Sequence, residues 1–189
     1  MKKKTLLACA IAAALSLISM QAASAHVSLQ LKGYTDTAGT ASRVWLSLGH
    51  GCTYKDHKYG TSIFSVDVPR TAGKPTPEFH VGYKTSVVPS AAVDAKGVPD
   101  FYTVTWTAKA KSYVIDDGTF YDFGLKVTWD ATPQKINLPT TQTCFAPSTT
   151  AGLKKPLYLK WVITDGTTKA GTEDTEFGPA PSITTKAKA

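Results

Sequence analysis

The residues of this chain that can do chemistry are few, and the most telling of them sits at a boundary. Ala23-Ser24-Ala25 has the small-x-small pattern that a signal peptidase cleaves, so His26 is expected to become the first residue of the mature protein. An N-terminal histidine can close a ring on one metal ion through its α-amino nitrogen and its imidazole Nδ1. A histidine in mid-chain cannot, because its backbone nitrogen is an amide. Among divalent ions a nitrogen pair of this kind suits Cu(II) best. The alternative is that cleavage needs only the small residues and that the histidine follows by accident.

Three further histidines are His50, His57 and His80. His50 stands in Gly49-His50-Gly51-Cys52, where the glycines free the backbone to turn sharply and bring the imidazole against another element. It is expected as a metal ligand or as a residue just behind one, ahead of His57 and then of His80. A loop histidine that bonds a backbone carbonyl is the plain alternative. Met1 and Met20 both leave with the leading segment, so no soft thioether remains, and nitrogen ligands favour Cu(II) over Cu(I). Cys9 leaves the same way. Cys52 and Cys144 then form one pair in an oxidising setting and are expected to be a disulfide, worth about 4–5 kcal/mol by loop closure. Two reduced thiols acting as metal ligands is the alternative. With the cysteines paired, no close Cys/His spacing remains for structural zinc. The sequence has no Gly-x-Ser-x-Gly elbow, paired-carboxylate site or phosphate loop, and no enzyme is expected.

What must position these residues is an exported β domain. Lys2-Lys3-Lys4 precede an apolar run over 6–18 that is too short to span a bilayer comfortably, so residues 1–25 read as a signal peptide and the protein as periplasmic or secreted. No second hydrophobic run follows, and no membrane span is expected after the signal is removed. The mature chain carries 18 basic and 14 acidic residues, a net charge of +4 with no basic run, which excludes a nucleic-acid partner. Apolar and polar residues alternate over 27–31, 44–48, 63–68, 102–106, 123–129 and 157–163, as strands require. Turn residues cluster at 35–40, 73–77, 97–100, 116–118, 147–152 and 165–166. Short strands with frequent turns and no sustained helical period predict an all-β antiparallel sandwich with Greek-key-type connections, folded as one domain over 26–177. Trp45, Trp106 and Trp129 lie in strand patterns and are expected in its core. Residues 178–189, rich in Pro, Thr and Lys, are expected to be disordered.

Taken together, a mature start at His26-Val27, Gly49-His50-Gly51-Cys52, Val66-Asp67-Val68-Pro69, Val104-Thr105-Trp106, Phe120-Tyr121-Asp122-Phe123-Gly124-Leu125, Gln142-Thr143-Cys144 and Lys160-Trp161 resemble the YcnI-like copper-binding family. The resemblance covers nearly the whole mature chain through the order and spacing of these motifs. It implies an immunoglobulin-like sandwich, a Cu(II) site called a monohistidine brace on His26, and a tryptophan beside the copper at Trp161. It also implies a role in extracytoplasmic copper handling, with other copper-trafficking proteins as partners. The family's Pro-His-Gly-Cys pattern falls on residues 49–52 with glycine in place of proline. The stretch comparable to one that supplies a glutamate in some relatives, 40–46, has no acid, so the resemblance leaves the third equatorial ligand unassigned. Many members end in a transmembrane helix; none is expected here, and the protein is expected to be free in the periplasm or secreted.

Three classes of function fit these residues. The leading one is an exported Cu(II) chaperone or buffer with His26 as the principal ligand and His50 as a further candidate. The second is a histidine-brace copper monooxygenase, which would need His50 or His57 to reach the metal. The third is a metal-free adhesion or ligand-binding sandwich, for which the fold alone would suffice.

Overall fold

Alternation along the chain is reproduced as strands. The computed structural model describes residues 27–54, 57–144, 156–168 and 177–188. In chain order the strands are β1 (Ser28–Gln30), β2 (Ala41–Leu48), β3 (Cys52–Tyr54), β4 (His57–Tyr59), β5 (Thr61–Pro69), β6 (Thr76–Pro77), β7 (Tyr83–Pro89), β8 (Phe101–Ala108), β9 (Tyr121–Thr128), β10 (Lys135–Asn137), β11 (Thr140–Cys144), β12 (Leu157–Ile163), β13 (Phe177–Pro179) and β14 (Ser182–Thr184). Two 3-10 turns, Arg70–Ala72 and Lys111–Tyr113, are the helical segments among the described residues.

Two sheets carry the domain, one ordered β1-β2-β9-β6 and the other β13-β12-β11-β5-β8-β7. Strand β2 shows why they face each other. Ser42, Val44, Leu46 and Leu48 point inward and are buried, while Arg43, Trp45 and Ser47 point out, the two-residue period of a pleated strand. Phe64, Val66 and Val68 of β5 and Val104 and Trp106 of β8 supply the opposing layer. Phe64 stacks on Phe123 of β9 at 4.4 Å between ring centroids and so joins the two sheets. Full burial of an aromatic or branched side chain contributes about 1.5–3 kcal/mol, so this single core accounts for most of the drive to fold. Cys52 and Cys144 form a disulfide across a sequence separation of 92, as their pairing predicted.

Register defines two ends. At one, Leu48 pairs with Tyr121 and Tyr83 with Ala108, and the disulfide closes the space between the sheets. This is the histidine end. At the far end Pro69 pairs with Phe101 and Pro89 with Tyr102.

Two expectations are corrected. The segment 178–189 is not disordered over its described part: β13 pairs in parallel with β12, β14 pairs with β10, and Ile183 lies opposite Ile136. Backbone pairing to distant strands supplies the order that composition alone denied. Trp106 and Trp129 are core residues, but Trp45 lies half-buried on the outer face, its Nε1 donating to Glu78 Oε2 at 2.9 Å with Lys32 over its ring. Residues 1–25, expected as a signal peptide and holding Cys9, lie outside the described residues, as do His26 and the turn at 147–152.

Candidate functional site

The histidine end is assembled by three chain segments. Strand β1 pairs with β2 through Ser28–Ser47, Leu29–Leu46 and Gln30–Trp45, and Val27, just before it, is buried. Strand β2 leaves the sheet at Leu48 and runs into Gly49-His50-Gly51-Cys52. The disulfide fastens this loop to the end of β11. From that strand the buried Gln142 donates through Nε2 to the His50 carbonyl at 2.9 Å.

Gly51 lies so close to β4 that a Cβ there would stand 2.1 Å from the Tyr59 carbonyl oxygen and 3.2 Å from Asp117 Cβ. Only glycine fits. The tight turn places His50 Nδ1 2.8 Å from the Gly51 carbonyl and 3.8 Å from Asp117 Oδ1. Asp117 Oδ2 in turn meets Lys58 Nζ at 3.0 Å. A carbonyl can accept only from a protonated ring nitrogen, so Nδ1 carries the hydrogen and the Nε2 lone pair is left for a ligand. Metal-binding histidines are held in this way, with the second nitrogen donating to a carbonyl or carboxylate. Asp117 escaped the sequence reading because Asp116-Asp117-Gly118 registers there only as a turn.

His80, ranked last from sequence, is the most enclosed of the described histidines. Its Nδ1 lies 2.7 Å from Tyr121 Oη, and its ring packs against Tyr121, Phe123 and Tyr83 at centroid distances of 5.2, 5.7 and 6.3 Å. Burial holds the His80 imidazole below its ordinary pKa, with the nearby Glu78 carboxylate opposing. Burial, reinforced by Glu78, raises that of Tyr121. The tautomer decides whether the Tyr121 phenol or His80 Nδ1 is the donor of this bond, and the ring's other nitrogen is Nε2. That atom is buried and has no partner. A sequence signal for this was present in Glu78-Phe79-His80-Val81, where apolar and polar residues alternate.

Of the other expected residues, His57 opens β4, and its side chain is outside the described set. Trp161 is a core residue on β12, opposite Thr140 and two positions from Leu159, the partner of Gln142. The structure thus brings His50, Cys52 and Cys144 together. No group of three or more His, Cys, Asp or Glu side chains is placed to hold a metal among the described residues, so His50 would need a nitrogen or oxygen donor from elsewhere.

The two facing sheets, pinned by one disulfide, make an immunoglobulin-like fold. The crystal structure of an uncharacterized protein from Nocardia farcinica, described as having an immunoglobulin-like fold, is similar at a TM-score of 0.58 and 20% identity, covering 86% of this chain and 99% of that one. Residues 26–184 match the family described as domain of unknown function DUF1775, and the chain belongs to that family. No curated protein matches it.

Proposed function

We propose that this is an exported Cu(II)-binding protein of extracytoplasmic copper handling, a chaperone or buffer of the YcnI-like kind, and not an enzyme. Copper is its cargo, held by the amine and imidazole of His26 once residues 1–25 are removed, with His50 Nε2 available to the same ion and Trp161 beside it. The observation that carries the reading is the placement of Val27. The residue following His26 is buried at the end where β2 turns into the Gly49-His50-Gly51-Cys52 loop, whose imidazole is already oriented through Nδ1. The cleavage pattern and the absence of methionine after residue 20 support it further.

The test is intact mass of the exported protein followed by copper titration at several pH values. A start at His26 and one Cu(II) per chain are expected. Ligands must lose protons before they bind, with the imidazole near pKa 6.5 and the α-amine near 7.7–8.0 in unperturbed form. Affinity should therefore fall steeply between about pH 8 and pH 5. A flat profile would point to carboxylate ligands and remove His26 from the site.

A further inference from the structure

Gln142 interrupts an apolar row. Across the larger sheet it stands between Leu159 of β12 and Phe64 of β5, with Trp106 of β8 next beyond, and all four side chains are buried. A leucine or methionine would continue that row with no amide to satisfy. The amide here is not fully satisfied, since Oε1 is buried and has no partner among the described residues. A buried polar atom left unpaired costs stability, so packing alone does not account for a glutamine at this position.

What the amide holds is the loop. Nε2 donates to the His50 carbonyl at 2.9 Å and to Thr61 Oγ1 at 2.5 Å, which uses both of its hydrogens. Thr61 is itself fixed through its backbone, exchanging hydrogen bonds of 2.8 and 3.0 Å with Ile115. The carbonyl that Gln142 takes belongs to the peptide unit joining His50 to Gly51. At the other end of that unit the Gly51 Cα is pressed against the Tyr59 carbonyl, where no Cβ fits. The next residue, Cys52, is tied to Cys144, two positions along β11 from Gln142. The peptide plane is thus held at both ends, and the Gly51 carbonyl is held with it. That carbonyl is the group 2.8 Å from His50 Nδ1. Asp117 Oδ1, at 3.8 Å, is too far to fix the ring by a hydrogen bond of its own.

We propose that Gln142 is the positioning residue of the copper site: its amide fixes the peptide between His50 and Gly51, that peptide fixes the imidazole with its hydrogen on Nδ1, and Nε2 is left bare for the ion. The inference rests on the reading of His50 as a copper ligand. It gives the work to a core side chain 92 positions along the chain that touches no metal itself. Partners of this kind orient a ligand, and losing one weakens metal binding about 10–100-fold.

The test compares the mature protein with Gln142→Met, Gln142→Leu and His50→Ala, with circular dichroism to check that each folds. Both Gln142 replacements are apolar and suit the row. Without copper, the ring 15N shifts of labelled histidine are read at about pH 8, the His50 signals being those missing from His50→Ala. The hydrogen is expected on Nδ1 in the unaltered chain and on Nε2, or shared between the two nitrogens, in the Gln142 variants, because a ring's tautomer follows the bond its other nitrogen makes. In competition titrations Cu(II) affinity should fall about tenfold or more in the Gln142 variants and in His50→Ala, with one ion still bound. A folded Gln142 variant whose His50 keeps its hydrogen on Nδ1 would overturn the proposal. So would one that binds copper as tightly as the unaltered protein while His50→Ala does not, and so would loss of the fold in both Gln142 variants, which would make the amide a structural group. Failure of the copper reading looks different: His50→Ala would then bind copper undiminished, which strikes His50 from the site and the part of Gln142 in it together.

Discussion

The two ends of the sandwich treat their polar groups in opposite ways. At the far end each carboxylate has a partner. Asp94 Oδ1 accepts from Lys96 N and Val98 N at 2.9 Å each, Arg70 reaches Asp94 and Asp100 at 3.2 and 3.3 Å, and Asp67 accepts from Thr103 at 2.6 Å. The Val98 and Lys96 amides, with Arg70 added, hold the Asp94 carboxyl below its usual range. At the histidine end lie all the buried side-chain polar atoms without partners among the described residues, namely Tyr59 Oη, His80 Nε2, Asp122 Oδ1 and Gln142 Oε1. A groove of about 410 Å³ opens at the far end beside Asp67, Phe101 and Lys135. The contrast teaches that concavity and unspent hydrogen-bonding capacity need not coincide, since the groove lies at one end and the unpartnered polar atoms at the other.

The largest way to break the contrast is at the N-terminus. Adding one residue before His26 turns the amine into an amide, and Cu(II) affinity should drop by more than the about 10–100-fold that loss of an outer-shell partner costs. Equal affinity and identical electron-spin spectra for native and extended proteins would remove the brace. Next is the clamp. Replacing Cys52 and Cys144 together by serine should cost about 2–5 kcal/mol and lower Tm by about 5–15 °C, while copper stoichiometry stays at one. A folded double variant that loses copper would instead make the cysteines ligands.

A smaller effect sharpens the role of His80. Tyr121→Phe should cost about 1–3 kcal/mol in urea unfolding, because it leaves the buried Nδ1 unpaired as well as Nε2. His80→Phe in that background should recover part of the loss, since two apolar rings leave nothing unsatisfied. The pH dependence has a definite sign. With the native pKa of His80 below the ordinary 6.5, the unfolded chain binds more protons between the two values. This contribution is complete above about pH 6.5 and is lost as pH falls toward the native value. The urea midpoint should therefore fall more between pH 7 and 5.5 in the wild type than in His80→Phe. The smallest effect belongs to the far end. Arg70→Ala removes exposed ion pairs and should change stability by at most about 1 kcal/mol without touching copper binding.

The strands that proved legible in the sequence are those with one face in the core, since burial on one side writes the two-residue period directly. Strands β2, β5 and β8 are of this kind. Strand β7 was missed because it is an edge: of Tyr-Lys-Thr-Ser-Val-Val-Pro only Tyr83 is buried, so the period is not written. The disulfide was legible because, with Cys9 set aside in the expected signal segment, Cys52 and Cys144 have one pairing. Asp117 and Tyr121 were not, because their relations to His50 and His80 run over 67 and 41 positions, through the fold rather than the local pattern. His80 was undervalued for the same reason, as its partner lies on another sheet strand.

The return of the chain's last residues to its beginning has a bearing on timing. Lys186 N donates to the Asp36 carbonyl, Ala38 N donates to the Lys186 carbonyl, and the Lys186 ammonium reaches Asp36 at 2.7 Å. The loop after the first strand is thus clasped by residues about 150 positions further along the chain. Contacts of such long sequence separation form late and slowly. A chain without residues 182–188 would lack both this clasp and the β14 pairing. The loop at 35–38 and strand β10 therefore settle only once the segment 182–186 reaches them.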